Sequence, residues 1–110
     1  DEIAESEGMD RTSLELSAGQ RTLIEAVCQA NANVVLVLSG GSPFLMPERD
    51  QYRAAIHGYL SGQAGAQAMA ETLLGKRCPC GKLNESWPES LESSPSAPYF
   101  PSSFTTEELM

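Results

Sequence analysis

The chain has 110 residues, a formal net charge of −8 and an apolar fraction of 41%. That length holds one small domain or part of a larger one. Its few, scattered Lys and Arg residues exclude a phosphate-gripping nucleic-acid surface, and no apolar run reaches the roughly eighteen residues of a membrane-spanning helix.

Residues 1–16 are acidic and irregular. Within them, Glu5-Ser6-Glu7-Gly8-Met9-Asp10-Arg11 sets four ionisable side chains and a glycine in one short stretch with no apolar period. Such a stretch is a loop, and loops carry much of the chemistry of folded domains. A glycine directly after a carboxylate lets the backbone turn tightly and leaves the carboxylate uncovered. The residues alone allow two readings: a carboxylate aimed at a ligand, or an ordinary solvated turn.

Ser17-Ala18-Gly19-Gln20 reads as a capping box, with Ser17 as N-cap and Gln20 at the third helical position. Leu23, Ile24, Val27 and Cys28 follow on one helical face, while Arg21, Glu25 and Gln29 fill the other. The helix should end near Asn31, a residue that tolerates a left-handed cap. Val34-Val35-Leu36-Val37-Leu38 is a continuous aliphatic run, the pattern of a parallel strand buried on both faces. It stops at Ser39-Gly40-Gly41-Ser42-Pro43, a loop at the carboxyl edge of the sheet, where open α/β sheets bind ligands. The glycines are adjacent and no helix follows at once, so this is no dinucleotide fingerprint.

Ala54–Leu60 is a second candidate strand, closed by a turn at Ser61-Gly62-Gln63. Gln63–Leu74 is Ala-rich and helical, with Gly75 as its terminal cap. Small side chains let such a helix sit close on a sheet. From Lys76 onward Pro and Ser accumulate and period is lost, as in an extended surface-hugging segment or a linker. Phe104–Met110 has the composition of a helix start. The order helix, strand, strand, helix gives an α/β layered sandwich with a mostly parallel sheet flanked by helices, expected here as a piece truncated at both ends.

Cys28 lies on the apolar helix face and reads as a small hydrophobe. Cys78-Pro79-Cys80 is too short a spacing for a zinc hook, and His57 alone cannot complete a site, so neither metal nor cofactor is expected. Three cysteines make no disulfide framework. With no leader at its start, the chain is expected in a reducing, cytoplasmic setting. His57 reads as a satisfied structural histidine, Trp87 beside Pro88 as a packing anchor, and Tyr59 as core or edge packing.

The joint order of these pieces resembles the C-terminal α/β-sandwich domain of glycoside hydrolase family 3, the β-glucosidase-like enzymes. The resemblance rests on Glu5–Arg11, on Gln20 with Leu23-Ile24, and on Asn31–Leu38. It continues through Gly41–Pro43 with Met46-Pro47, Gly62–Gly65, Leu74–Lys76, Gly81–Leu83 with Glu85–Pro88, and Tyr99–Pro101. Two positions depart from the family pattern. Glu48 stands where an aromatic residue often follows Met-Pro, and Cys78-Pro79-Cys80 replaces an Asn-Pro-Ser turn. Residues 1–101 would then be a partial domain and 102–110 a truncated tail.

The resemblance implies a retaining mechanism with two carboxyl groups. An Asp nucleophile belongs to an N-terminal barrel domain, the partner of this one. The general acid/base is a Glu in a loop of the C-terminal domain, and Glu7 matches it, with Glu5 as the alternative. Asp10 and Arg11 are expected to fix the loop, the guanidinium gripping carboxylate or backbone oxygens. The expected substrate is a β-linked glucoside or oligosaccharide. The chain would supply the acid/base loop without the nucleophile, and so be inactive in isolation. The other possibility is a non-catalytic module that binds carbohydrate or packs against a barrel.

Overall fold

The computed structural model describes residues 11–46 and 49–99. Glu5, Glu7, Asp10 and the stretch Phe104–Met110 therefore lie outside the described residues. The architecture is α/β: helix α1 (Ala18–Ala30), strands β1 (Val35–Leu38) and β2 (Ala54–His57), helix α2 (Gly65–Leu73), then two short 3-10 turns, Leu91–Ser93 and Ala97–Tyr99. Among the described residues no helix is long and apolar enough to cross a membrane.

The capping box closes as the spacing predicts. The Ser17 hydroxyl accepts from the Gln20 amide at 3.3 Å, and the Gln20 side chain accepts from the Ser17 amide at 3.0 Å. Two of the amides that a helix start leaves unpaired are thus satisfied reciprocally. The other end departs from expectation. Asn31 caps α1 with extended backbone (φ −148°) rather than in the left-handed region. Its own amide still donates to Val27, and its side chain accepts from the Asn33 amide at 2.8 Å. That side-chain turn redirects the chain toward β1 without a positive φ.

The strands pair in parallel, with Val35 opposite Ala54 and Leu38 opposite His57. The second strand is shorter than the apolar run suggests. Gly58 still donates to Leu38 at 2.9 Å, but Tyr59 adopts φ +51°, which breaks the extended backbone. A second correction concerns burial. Leu36 and Leu38 are half-buried, whereas Val35 and Val37 are 48% and 50% exposed. A strand is covered on both faces only where a layer packs on each. Here α1 stands across an apolar groove of about 470 Å³ whose walls include Leu16, Leu23, Ile24, Val27 and the length of β1. Leu23 is consequently 64% exposed, and no residue of α1 is buried.

Helix α2 begins at Gly65, two residues later than its composition implies, and ends in a Schellman motif. The Gly75 amide donates to Thr72 and the Lys76 amide to Glu71, with Gly75 at φ +71°. Only glycine takes that conformation without strain, so the predicted cap holds for its stated reason. The Glu71 carboxyl is held below its ordinary range, first by Arg77 and then by Gln67. A depressed carboxylate supports the folded state above that range and loses this support as pH falls through it. The helix reaches the sheet through Met69. A Cβ on Gly58 would lie 2.9 Å from the Met69 methyl, the far end of a flexible side chain that can shift aside, so the contact is close without requiring glycine.

Candidate active-site edge

Where the parallel strands end, four segments converge. β1 runs out into Ser39 and buried Gly40, and β2 runs out into Gly58 and Tyr59. The Ser39 hydroxyl donates to the Tyr59 carbonyl at 2.8 Å, joining the two strand ends beyond the ladder. The Tyr59 hydroxyl donates to the Asn84 side chain at 2.8 Å and accepts from the Asn84 amide at 3.3 Å. Tyr59 is thus fixed at both its backbone and its phenol, which offsets the cost of a left-handed non-glycine residue.

Beneath this edge lies an aromatic cluster. Phe44, only 7% exposed, sets its ring 4.8 Å from Trp87 and 6.1 Å from His57. His57 in turn lies 4.1 Å from Tyr59 and 5.0 Å from Trp87, with all four pairs edge-to-face. Trp87 is the packing anchor its setting beside Pro88 suggests, and Tyr59 packs at the edge. His57 packs within this cluster. Neither of its ring nitrogens, nor the Trp87 indole nitrogen, has a hydrogen-bond partner among the described residues, although all three are buried. A buried ring nitrogen left without a partner costs about 1–3 kcal/mol of lost hydration. Replacing His57 by Phe, which keeps the ring and removes both nitrogens, is expected to raise domain stability by about 1 kcal/mol. A denaturant midpoint lower than that of the parent would contradict this.

Phe44 escaped the sequence reading because it follows Ser42-Pro43 in a loop, with no period to mark it as core. Its only signal was an aromatic side chain at the head of the short apolar run Phe44-Leu45-Met46. Cys28 is half-buried on α1, while Cys78 and Cys80 are exposed.

The N-terminal side of the site enters through Arg11. Its guanidinium Nη1 donates to the Ser42 hydroxyl at 2.8 Å and to the Pro43 carbonyl at 3.0 Å. Three residues on, the Leu45 amide donates to the Leu14 carbonyl at 2.7 Å. The segment that leaves the acidic loop is therefore tied twice to the turn after β1. The expected grip of Arg11 on a backbone oxygen is present. Whether Asp10 joins it lies outside the described residues, as do the positions of Glu7 and Glu5.

A sequence profile of the glycosyl hydrolase family 3 C-terminal domain matches residues 1–109. The chain belongs to that family. It is 44% identical over 97 residues to the thermostable β-glucosidase B of Acetivibrio thermocellus, a match covering 88% of this chain and 13% of that protein. It is 42% identical over 101 residues to an exo-α-(1→6)-L-arabinopyranosidase of Bifidobacterium breve, covering 91% and 13%. A β-glucosidase of Kluyveromyces marxianus is 34% identical over 100 residues, covering 91% and 12%. The chain thus spans about an eighth of the length of these glycoside hydrolases. The small parallel α/β unit is consistent with the family 3 C-terminal domain, and Arg11, which follows the acidic stretch in sequence, is bonded to the loop at its carboxyl edge.

Proposed function

We propose that this segment supplies the general acid/base of a retaining family 3 glycosidase, with Glu7 in that role. The observation that carries the reading is the attachment of Arg11, the residue that follows the acidic stretch. Glu7 lies four residues before Arg11, which is bonded to the loop at the carboxyl edge of a parallel sheet. A carboxylate on a loop so attached can extend beyond its own domain toward a second one. Retention needs this, because the acid and the nucleophile must face each other at about 5–5.5 Å across the glycosidic bond.

In the first step Glu7, protonated, gives its proton to the leaving oxygen as the nucleophilic carboxylate forms the glycosyl-enzyme. In the second, the same group, now ionised, takes a proton from the water that attacks the anomeric carbon. The nucleophile would come from an N-terminal barrel domain, so the isolated segment would not turn over substrate. The substrate would be a glycoside, with β-linked glucosides the first class to test. Relatives named for different sugars are 44% and 42% identical to the segment, which supports placing sugar selection outside it.

The test is product analysis on the full-length enzyme carrying Glu7→Ala, with azide added. Azide needs no base to attack the glycosyl-enzyme. A rate rescued by azide, with a glycosyl azide of retained configuration as product, is the expected result. A variant with unchanged hydrolysis and no azide adduct would remove Glu7 from the role.

A further inference from the structure

We infer that Cys78 and Cys80 are a reversible redox pair, two exposed thiols that react with a small anionic disulfide of the glutathione kind and close on each other as an intramolecular disulfide. The inference stands apart from the reading of Glu7.

Cysteine is among the most buried residue types, and one kept for packing sits inward, as half-buried Cys28 does on α1. Cys78 and Cys80 do the opposite. Both are free and exposed, in a stretch where every residue of 76–86 is exposed. Packing therefore accounts for neither.

Residues 78–83 form neither helix nor strand, and none of their amides or carbonyls bonds another backbone group among the described residues. The loop can close on itself without giving up such a bond. Its two ends are held. On one side the Lys76 and Arg77 amides donate to the Glu71 carbonyl at 2.8 and 3.3 Å. On the other, Asn84 is bonded twice to the Tyr59 hydroxyl. The two thiols thus ride on a short surface tether.

Pro79 sets their spacing. Its ring fixes φ at about −65° and steers Cys78 toward extended backbone. At about 3.1 Å per residue in a polyproline-like chain, Cα atoms two residues apart lie about 6 Å from each other. A disulfide spans about 4.4–6.8 Å between Cα atoms. Closure therefore asks for side-chain rotation rather than refolding of the loop.

Charge supplies the choice of oxidant. Three of the seven cationic residues of this chain, Lys76, Arg77 and Lys82, bracket the pair, although the net charge is −8. Arg77 is engaged by Glu71, so the two lysines supply most of the local field. Such a field draws a small anion, and glutathione disulfide is one.

The exchange proceeds in two steps. One cysteine sulfur attacks glutathione disulfide. A protein–glutathione S–S bond forms, the original S–S bond breaks, and reduced glutathione leaves with the proton of the attacking thiol. The second cysteine then attacks the first cysteine's sulfur and expels the other glutathione, which takes its proton. The pair loses two electrons and two protons, and glutathione disulfide gains them.

The experiment treats the pre-reduced full-length enzyme with glutathione disulfide below millimolar concentration, caps remaining thiols with N-ethylmaleimide and maps tryptic peptides. Cleavage after Arg77 and Lys82 isolates both cysteines on one peptide, residues 78–82. That peptide is expected uncapped and lighter by two hydrogens. Its glutathione adduct should be at least about tenfold rarer, because the second thiol competes at an effective concentration on the order of millimolar or more. Excess reduced glutathione should restore the doubly capped peptide without unfolding the enzyme. In Cys78→Ser and Cys80→Ser, the remaining cysteine should instead hold a persistent glutathione adduct.

A parent enzyme that keeps the adduct as long as the single variants do would overturn the inference. So would a peptide doubly capped throughout, a disulfide from either cysteine to Cys28 or to a second chain, or a closed pair that reopens only after denaturation. Should a serine variant not fold, the peptide map of the parent decides by itself.

Discussion

Replacing Glu7 by Gln in the full-length enzyme is expected to lower kcat/KM on phenyl β-glucoside by about 10²–10⁴-fold, the range of general acid catalysis. The amide is nearly isosteric with the acid and has no proton to give at neutral pH. A phenolate of high pKa cannot depart from the sugar without that proton, whereas dinitrophenolate can. For 2,4-dinitrophenyl β-glucoside, kcat/KM should therefore stay within a few-fold of the parent value. Its kcat should still fall, because hydrolysis of the glycosyl-enzyme requires the same group as a base. KM falls with it, and this paired drop distinguishes a lost acid/base from a misfolded site. Glu5→Gln serves as the comparison, with less than tenfold loss on either substrate expected. If Glu5→Gln produces the leaving-group pattern and Glu7→Gln does not, the two carboxylates exchange roles.

The second large effect is on stability. Phe44 and Val34 are the buried apolar residues of the described chain, and Phe44 joins the turn after β1 to both β2 and the Trp87 segment. Phe44→Ala removes a ring whose neighbours, Trp87 and His57, belong to different segments and cannot close over the gap together. The cost is expected near the usual 3–5 kcal/mol for such a truncation. A domain's whole stability is about 5–15 kcal/mol, so the loss is a substantial share of it. Calorimetry of the full-length variant should show this domain's transition moved down by several degrees. Val35→Ala, at a half-exposed position beside the groove, should move it far less. Equal shifts for the two variants would mean that the aromatic cluster is not the core of the unit.

Much of this was legible because it depends on neighbours in the chain. The capping box at Ser17 and Gln20, the end of α2 at Gly75 and the abrupt stop of β1 at Ser39 are set by local bonding and backbone freedom. The acidic loop also showed in the sequence, since a cluster of charges around a glycine needs no partner to be seen. Its match to an ordered set of other segments made it a specific candidate, and the family membership of the chain supports that order.

Other features depended on residues distant in sequence and could only appear in three dimensions. Aliphatic side chains along β1 record a preference for burial, but whether both faces are covered depends on what packs there, and on the described residues Val35 and Val37 are left half-exposed. Phe44 had no periodic company to mark it, yet Trp87 and His57 close around it from two other segments. Within that same enclosure the His57 ring nitrogens have no hydrogen-bond partner among the described residues. For Arg11 the sequence determined the charge, the planar fork of donors and the four-residue separation from Glu7. Tertiary structure alone decided what the fork grips, because Ser42 and Pro43 come within reach only once β1 has delivered their turn to the edge of the sheet.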